Sequence, residues 1–89
     1  MAYAIYSVEI TPGINATVNS KHRVTADEVL EVCYSRNHEA RWDIDPDHGE
    51  RLLVRGRTRA GRRILVILHP VDPDQGQWRL KTAIAQTGR

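Results

Sequence analysis

A β-hairpin is predicted by residues 51–70, whose sequence is RLLVRGRTRAGRRILVILHP. Arg51–Thr58 has the alternating pattern of one strand, and a turn that ends at Gly61 separates it from a returning strand, Arg62–His69. The run Ile64–Leu68 is apolar at every position, which is typical of a central strand covered on both faces.

Two further strands are predicted near the ends of the chain. Apolar and polar residues alternate over Tyr3–Ile10 and over Gln77–Gln86. In the last strand, the alternation places two sets of side chains on opposite sides: Trp78, Leu80, Thr82 and Ile84, against Arg79, Lys81 and Ala83. Pro70 has no N–H and is expected to end the strand before it. A short strand around Trp42 and Ile44 would extend the sheet.

Two helices are predicted between the first strand and the hairpin. Thr11-Pro12 supplies a cap and a first-turn proline, and weak helix formers follow over Ile14–Arg23. Thr25 and Glu28 have capping-box spacing, and an apolar stripe follows on a helix from about residue 26 to 34. This order predicts an α+β fold: a strand, two helices, then a three- or four-stranded antiparallel meander with both helices on one sheet face.

The composition describes one small domain, residues 1–89. The single cysteine, Cys33, excludes an internal disulfide and any CxxC motif, and is expected to be a small buried side chain. The longest apolar run is far shorter than the roughly 20 residues of a membrane span, and the N-terminus lacks the pattern of a signal peptide. We therefore expect a cytoplasmic protein that does not bind membranes.

Positive charge is concentrated in the second half of the chain. Residues 1–49 contain four Lys and Arg against eight Asp and Glu, whereas residues 50–89 contain nine against three. Six of those nine are arginines between Arg51 and Arg63. This asymmetry favours an anionic partner, and the alternative is a solvated, arginine-rich hairpin.

Alternation is expected to place several of these cations on one sheet face. Arg51, Arg55 and Arg57 share one side of their strand, and Arg79 and Lys81 share one side of the last strand. Guanidinium groups match phosphate oxygens, and few acidic residues balance these arginines, so the face would attract a phosphate backbone. The alternative is the ordinary polar face of a half-buried sheet.

Other candidate residues lie outside the hairpin. Lys21 and His22 end the first helix, where they either complement the helix C-terminus or hold a phosphate and move a proton. An acidic stretch that contains His38 and His48 allows a metal-dependent enzyme as a further alternative, although its spacing matches no recognised metal site.

Two segments together resemble the BrnT-type toxins of type II toxin–antitoxin systems. Residues 21–32 are similar to that family's Lys-His-Gly-Val-Ser/Thr-x-x-Glu-Ala-x-x-Val run, and residues 51–62 to its Arg-x-x-x-x-Gly-Arg-Thr-x-x-Gly-Arg hairpin. The resemblance covers roughly residues 5–84 in outline. It implies a RelE-like fold and a metal-independent endoribonuclease without a cofactor, in which the ribose 2′-OH attacks the adjacent phosphate.

The resemblance also implies site residues and partners. The residues that match its motif positions are Lys21, His22, Arg51, Arg57 and Arg79, and Glu50 is the nearest carboxylate for a base. Arg51, Arg55 and Lys81 would then bind the RNA. The partners would be RNA and a cognate antitoxin protein, and free edge strands allow a homodimer.

The sequence departs from the family pattern at two positions. Arg23 stands where the family has glycine, at a helix end that favours a left-handed residue. Ile84 stands where the last strand of the family has an arginine, and the family's C-terminal helix is not expected because the chain stops at Arg89. The alternative function is therefore a non-catalytic interaction module of the same fold that has lost its active residues.

Overall fold

The computed structural model describes residues 3–86, in which two helices cover one face of a five-stranded sheet. The elements are β1 (Ser7–Glu9), α1 (Pro12–His22), α2 (Ala26–Tyr34), β2 (Glu39–Asp45), β3 (Gly49–Arg57), β4 (Arg63–Asp72) and β5 (Gln77–Gln86), with a 3-10 turn at Pro73–Gln75. In this part of the chain, neither helix is long and apolar enough to cross a membrane. The expectation that no C-terminal helix follows the last strand concerns residues 87–89, which lie outside the described range.

The sheet is mixed, with the strand order β1-β5-β4-β3-β2. Each strand from β2 to β5 is antiparallel to its neighbour in sequence, whereas β1 is parallel to β5, with Val8 opposite Trp78. The predicted α+β class with two helices is confirmed, but the antiparallel arrangement does not extend to β1. The helices carry the chain from one sheet edge to the other, and the four later strands bring it back beside β1 in the same direction.

Only three residues of the predicted first strand, Ser7–Glu9, join the sheet. The residues before them lie on the helix-covered side instead. Trp78 Nε1 donates a hydrogen bond to the Ala4 carbonyl oxygen at 2.9 Å, and the Tyr3 ring stacks on Trp42 with 5.9 Å between ring centroids. These contacts cover two tryptophans at one end of the core, so burial outweighs strand pairing in this segment.

Both helices begin at the predicted caps. Thr11 Oγ1 accepts a hydrogen bond from the Ile14 amide at 3.4 Å. The Glu28 amide donates to Thr25 Oγ1 at 3.2 Å, and the Thr25 amide donates to Glu28 Oε1 at 3.1 Å, which completes the capping box. α1 ends at Arg23, which has a φ of 54° and is the sole non-glycine residue with positive φ among residues 3–86.

One hydrophobic core lies between the helices and the sheet, where α1 packs on β5 and α2 packs on β3 and β4. The fully buried side chains include Val24, Val29, Val32, Leu52, Val54, Ile64, Val66 and Leu68. Cys33 is buried, as predicted. Burial raises the pKa of its thiol to about 12, so the thiol stays protonated and unreactive at neutral pH.

β5 contains a β-bulge that changes which of its side chains face the core. Lys81 is the extra residue, because its two neighbours lie opposite Ile67 and Leu68, which are adjacent in β4. Beyond the bulge, Ala83 is fully buried and Ile84 is 37% exposed. The predicted sides of these two residues are therefore wrong, since a bulge shifts strand alternation by one residue.

β4 is central in the sheet, as predicted, but only one of its faces is covered. Alternate residues of Ile64–Leu68 are fully buried under the helices, whereas Leu65 and Ile67 are half-buried on the other side. Pro70 does not end the strand, because β4 continues to Asp72 through an irregular register with β5. We refer to the uncovered side of the sheet as the open face.

Candidate nucleic-acid interface

The open face presents arginines around a central apolar strip. The alternation of β3 is confirmed, because Leu52 and Val54 are fully buried between its outward-facing arginines. The side chains on the open face of the three central strands include Arg51, Leu53, Arg55, Arg57, Arg63, Leu65, Ile67, His69, Arg79 and Ile84. Cross-strand pairing groups the arginines at two ends of this surface.

At one end of the open face, the arginines are paired with carboxylates. Arg51 Nε donates to Asp43 Oδ2 at 2.7 Å and Arg51 Nη1 to Asp45 Oδ2 at 3.3 Å, and Arg79 Nε donates to Glu9 Oε1. The expectation that few acids balance the arginines is therefore wrong here. Neighbouring strands supply the acids, and Glu9 lies 70 residues away from Arg79 in sequence.

Asp45 connects this end of the open face to the β2–β3 turn. Its carboxylate accepts a hydrogen bond from the Asp47 amide at 3.0 Å, and His48 Nδ1 lies 3.0 Å from its other oxygen. The Asp47 amide lowers the pKa of Asp45 most, and His48 and the charge of Arg51 lower it further. Asp45 therefore stays negative over a wide pH range and keeps Arg51 neutralised.

At the other end of the sheet, four arginines of β3, β4 and the turn between them form no salt bridge within residues 3–86. We refer to Arg55, Arg57, Arg59 and Arg63 as the arginine cluster. Arg57 of β3 lies directly opposite Arg63 of β4. Among residues 3–86, no Asp or Glu forms a salt bridge with any guanidinium group of the cluster. Like charges directly opposite each other destabilise a sheet, so this end is suited to binding an anion.

The arginine cluster lines a cleft of about 1530 Å³. α2 lines the cleft with Asp27 and Glu31, and we refer to this side as the acidic wall. Glu39 of β2 also lines the cleft, but it lies directly opposite Arg55 of β3 on the open face. Glu31 Oε1 accepts a hydrogen bond from the Arg59 amide at 3.0 Å, which holds the β3–β4 turn against α2. The other lining residues are Leu30, Tyr34, Ser35, Asn37, Gly56, Thr58 and Gln86.

Gly56 of the hairpin motif lets α2 lie close to β3 beside this cleft. A β-carbon at this position would be 3.2 Å from Val32 Cγ1 and 3.3 Å from His38 Cβ. Contacts this short would require α2 or the following loop to shift by a few tenths of an ångström. The glycine therefore contributes to the position of the acidic wall.

Lys21 and His22 lie at the C-terminus of α1, on the helix side of the sheet. Lys21 is exposed and His22 is half-buried. Arg62 Nη1 donates to the Arg23 carbonyl oxygen at 2.7 Å and to Glu28 Oε1 at 2.9 Å, which ties this helix end to the β3–β4 turn. Lys21 and His22 thus lie at the same end of the molecule as the arginine cluster, but neither lines the cleft.

The structure does not bring Arg57 and Arg79 together. Arg57 lies opposite Arg63 of β4, and Arg79 lies opposite His69 of the same strand. A strand rises about 3.3 Å per residue, so the two arginines are separated by about 20 Å along the sheet. They share the open face, as predicted, but belong to its two different ends.

Glu50 and Lys81 do not occupy the positions predicted for them. Glu50 lies opposite Ile44 and alternates with Arg51, so it projects to the helix side and not to the open face. Its prediction as a base on the arginine face is wrong, because adjacent residues of a strand point to opposite sides. Lys81 lies in the bulge of β5 and is half-buried, so regular alternation does not place it beside Arg79.

The two histidines of the metal-dependent alternative lie apart. His38 Nδ1 is 3.1 Å from the Val32 carbonyl oxygen, whereas His48 lies in the β2–β3 turn beside Asp45. Over the described range 3–86, no group of three or more His, Cys, Asp and Glu side chains is arranged to hold a metal ion.

Arg63 is a member of the cluster that sequence reasoning missed. A four-residue turn would place Arg62 opposite Arg57, but the loop is one residue longer and Arg63 takes that position. Arg62 instead bonds to Glu28 on the helix side. Because the two adjacent residues are both arginines, the sequence does not indicate which of them belongs to the open face.

Comparison of the chain with protein-family models, with curated proteins and with solved structures returned no match.

Proposed function

We propose that this protein is a BrnT-type toxin with a RelE-like fold that acts on RNA and holds the RNA backbone at the arginine cluster. The observation that supports this most is the Arg57–Arg63 pair, two guanidinium groups on adjacent strands that form no salt bridge with a carboxylate of residues 3–86. Such groups bind phosphate oxygens through paired hydrogen bonds. The order of one strand, two helices and four strands supports the RelE-like fold.

The proposed reaction is metal-independent cleavage of RNA. A base removes the proton of a ribose 2′-OH, the oxygen attacks the adjacent phosphorus, and an acid protonates the 5′-oxygen that leaves. Arginines stabilise the charge that develops on the phosphate oxygens. Of the candidate residues, Lys21 and His22 lie at the same end as the cluster and are assigned the cationic and proton-transfer roles. Arg79 and Glu50 have no part in this scheme.

A second candidate is a non-catalytic interaction module of the same fold. It is favoured by the salt bridge between Arg79 and Glu9, which occupies a cation that the family motif places in the catalytic site. It is also favoured by Ile84, an exposed apolar residue of the open face where the family motif has an arginine. Binding at the arginine cluster is common to both candidates, and cleavage distinguishes them.

The proposed toxin has two macromolecular partners. RNA contacts the arginine cluster, and a cognate antitoxin of acidic character covers the open face and blocks that contact. A homodimer is a further proposal, because β2 lies at a sheet edge and pairs only with β3 among the described strands.

The test compares two double variants with equal loss of charge. Arg57→Gln with Arg63→Gln changes the cluster, and Arg41→Gln with Arg79→Gln changes two exposed arginines of the open face that lie outside the cluster. Binding of a labelled single-stranded RNA is followed by fluorescence anisotropy, its cleavage on a gel, and toxicity by growth after induced expression. We expect the cluster variant to lose at least about tenfold in affinity, as removal of two phosphate contacts implies, and to relieve growth arrest.

Three outcomes separate the hypotheses. Equal affinity in the two double variants, or no RNA binding by the unmodified protein, would contradict the proposal. RNA binding without cleavage and without growth arrest would favour the non-catalytic module. Cleavage that is lost in His22→Asn while binding is kept would support the proton-transfer role of His22.

A further inference from the structure

We propose that the cleft beside the arginine cluster holds a base with an exocyclic amino group, so that the protein binds cytosine in preference to uracil. This inference rests on the proposed function, because it assigns a base subsite next to the phosphate contacts. It goes further in naming which chemical feature of the RNA is recognised.

Carboxylates and guanidinium groups line the same cleft with no salt bridge between them among residues 3–86, although the Arg59 amide bonds to Glu31. Asp27, Glu31 and Glu39 line the same cleft as the arginine cluster. Among residues 3–86, none of these three carboxylates forms a salt bridge. A ligand that fills the space therefore has to present negative charge to one wall and hydrogen-bond donors to the other. A nucleotide with an amino group on its base has both features.

The acidic wall also contains an aromatic surface. Tyr34 lines the cleft and is 50% exposed. Its hydroxyl donates a hydrogen bond to the Tyr6 carbonyl oxygen at 3.4 Å. Unpaired RNA bases stack on tyrosine rings in single-strand recognition.

Two carboxylates of α2 lie beside that ring along the helix. Asp27, Glu31 and Tyr34 lie on one side of α2 at helical spacing. Glu31 Oε1 is bonded to the Arg59 amide, which leaves Oε2 as an acceptor. Carboxylates accept hydrogen bonds from the N4 amino group of cytosine, whereas uracil presents a carbonyl oxygen at the same position. The acidic wall would therefore repel uracil.

The experiment measures the affinity of labelled oligo(C) and oligo(U) of equal length. Both bases are pyrimidines, but cytosine has an amino group where uracil has a carbonyl oxygen. The ratio of the two Kd values, that of oligo(U) to that of oligo(C), therefore measures recognition of the amino group. We expect oligo(C) to bind about tenfold more tightly than oligo(U), the order expected for a carboxylate that reads a base edge. Tyr34→Leu should weaken both oligonucleotides similarly, because stacking does not distinguish them.

The variants separate base recognition from a general effect of charge. Asp27→Asn combined with Glu31→Gln should bring the ratio close to one, and Asp74→Asn, an exposed acid on the 3-10 turn, should leave it unchanged. Circular dichroism verifies that each variant is folded. Equal affinity of the unmodified protein for oligo(C) and oligo(U) would overturn this inference and leave RNA binding intact. Failure to bind either oligonucleotide would overturn the proposed function itself.

Discussion

Arg23 is the residue whose backbone conformation fits its side chain least well. Its φ of 54° is left-handed, a region that costs a residue with a β-carbon about 1–2 kcal/mol. Arg23→Gly should raise the free energy of unfolding by about 0.5–1 kcal/mol, less than the full cost because glycine also makes the unfolded chain more flexible. Urea unfolding measures the change.

The matched control for Arg23 is alanine. Arg23→Ala removes the guanidinium group but keeps the β-carbon, and the carbonyl oxygen that accepts from Arg62 is present in both variants. If alanine stabilised the protein as much as glycine, side-chain charge and not backbone conformation would be responsible.

Glu28 joins the helix cap to the hairpin turn, and its charge makes this contact depend on pH. Burial alone would raise the pKa of Glu28, but hydrogen bonds from the Thr25 amide and from Arg62, together with the charge of Arg62, outweigh it and lower the pKa below 4.5. Because the folded-state pKa is lowered, the stabilisation is complete above the unfolded-state pKa and is lost as pH falls through the folded-state value.

Replacing the Glu28 carboxylate should therefore lower the free energy of unfolding most at neutral pH. Glu28→Gln keeps a side chain that can complete the capping box but removes the charge, and should cost about 1 kcal/mol of unfolding free energy at pH 7. Urea unfolding from pH 7 to below pH 4.5 should show the difference from the unmodified protein decreasing toward acid. A difference that stays constant with pH would contradict the role of the charge.

The sequence predicts an element well when the contacts that form it come from residues close together in the chain. The caps at Thr11 and Thr25 were predictable because each is formed within three residues of the chain. The bulge at Lys81 depends on pairing with β4, and the parallel position of β1 depends on the path of the whole chain. Neither leaves a periodic pattern in its own segment.

The bulge in β5 can be tested directly, because it decides which of Ala83 and Ile84 faces the core. Ile84 lies on the open face, so Ile84→Lys should cost less than about 1 kcal/mol. Ala83 is fully buried, so Ala83→Lys should cost more than about 3 kcal/mol because it buries an unpaired charge. Thermal unfolding compares the two variants. Greater destabilisation by the change at Ile84 would mean that the strand alternates without a bulge.

The candidate site was predictable in its chemistry and not in its layout. The concentration of arginines after residue 50 and the open face of β3 follow from the sequence. Which arginines are neutralised does not, because Glu9, Asp43 and Asp45 come from other strands. The fold therefore turns an asymmetry of charge along the chain into an asymmetry across one surface, with a paired end and, among residues 3–86, an unpaired end.

The salt dependence of RNA affinity tests whether the unpaired end is the phosphate-binding surface. Each phosphate contact adds about 0.7 to the slope of log affinity against log salt concentration for single strands, so losing two contacts should reduce the slope by about 1.4. We predict this reduction for Arg57→Gln with Arg63→Gln and an unchanged slope for Arg41→Gln with Arg79→Gln. Equal slopes in the two double variants would show that the arginine cluster does not hold the RNA backbone.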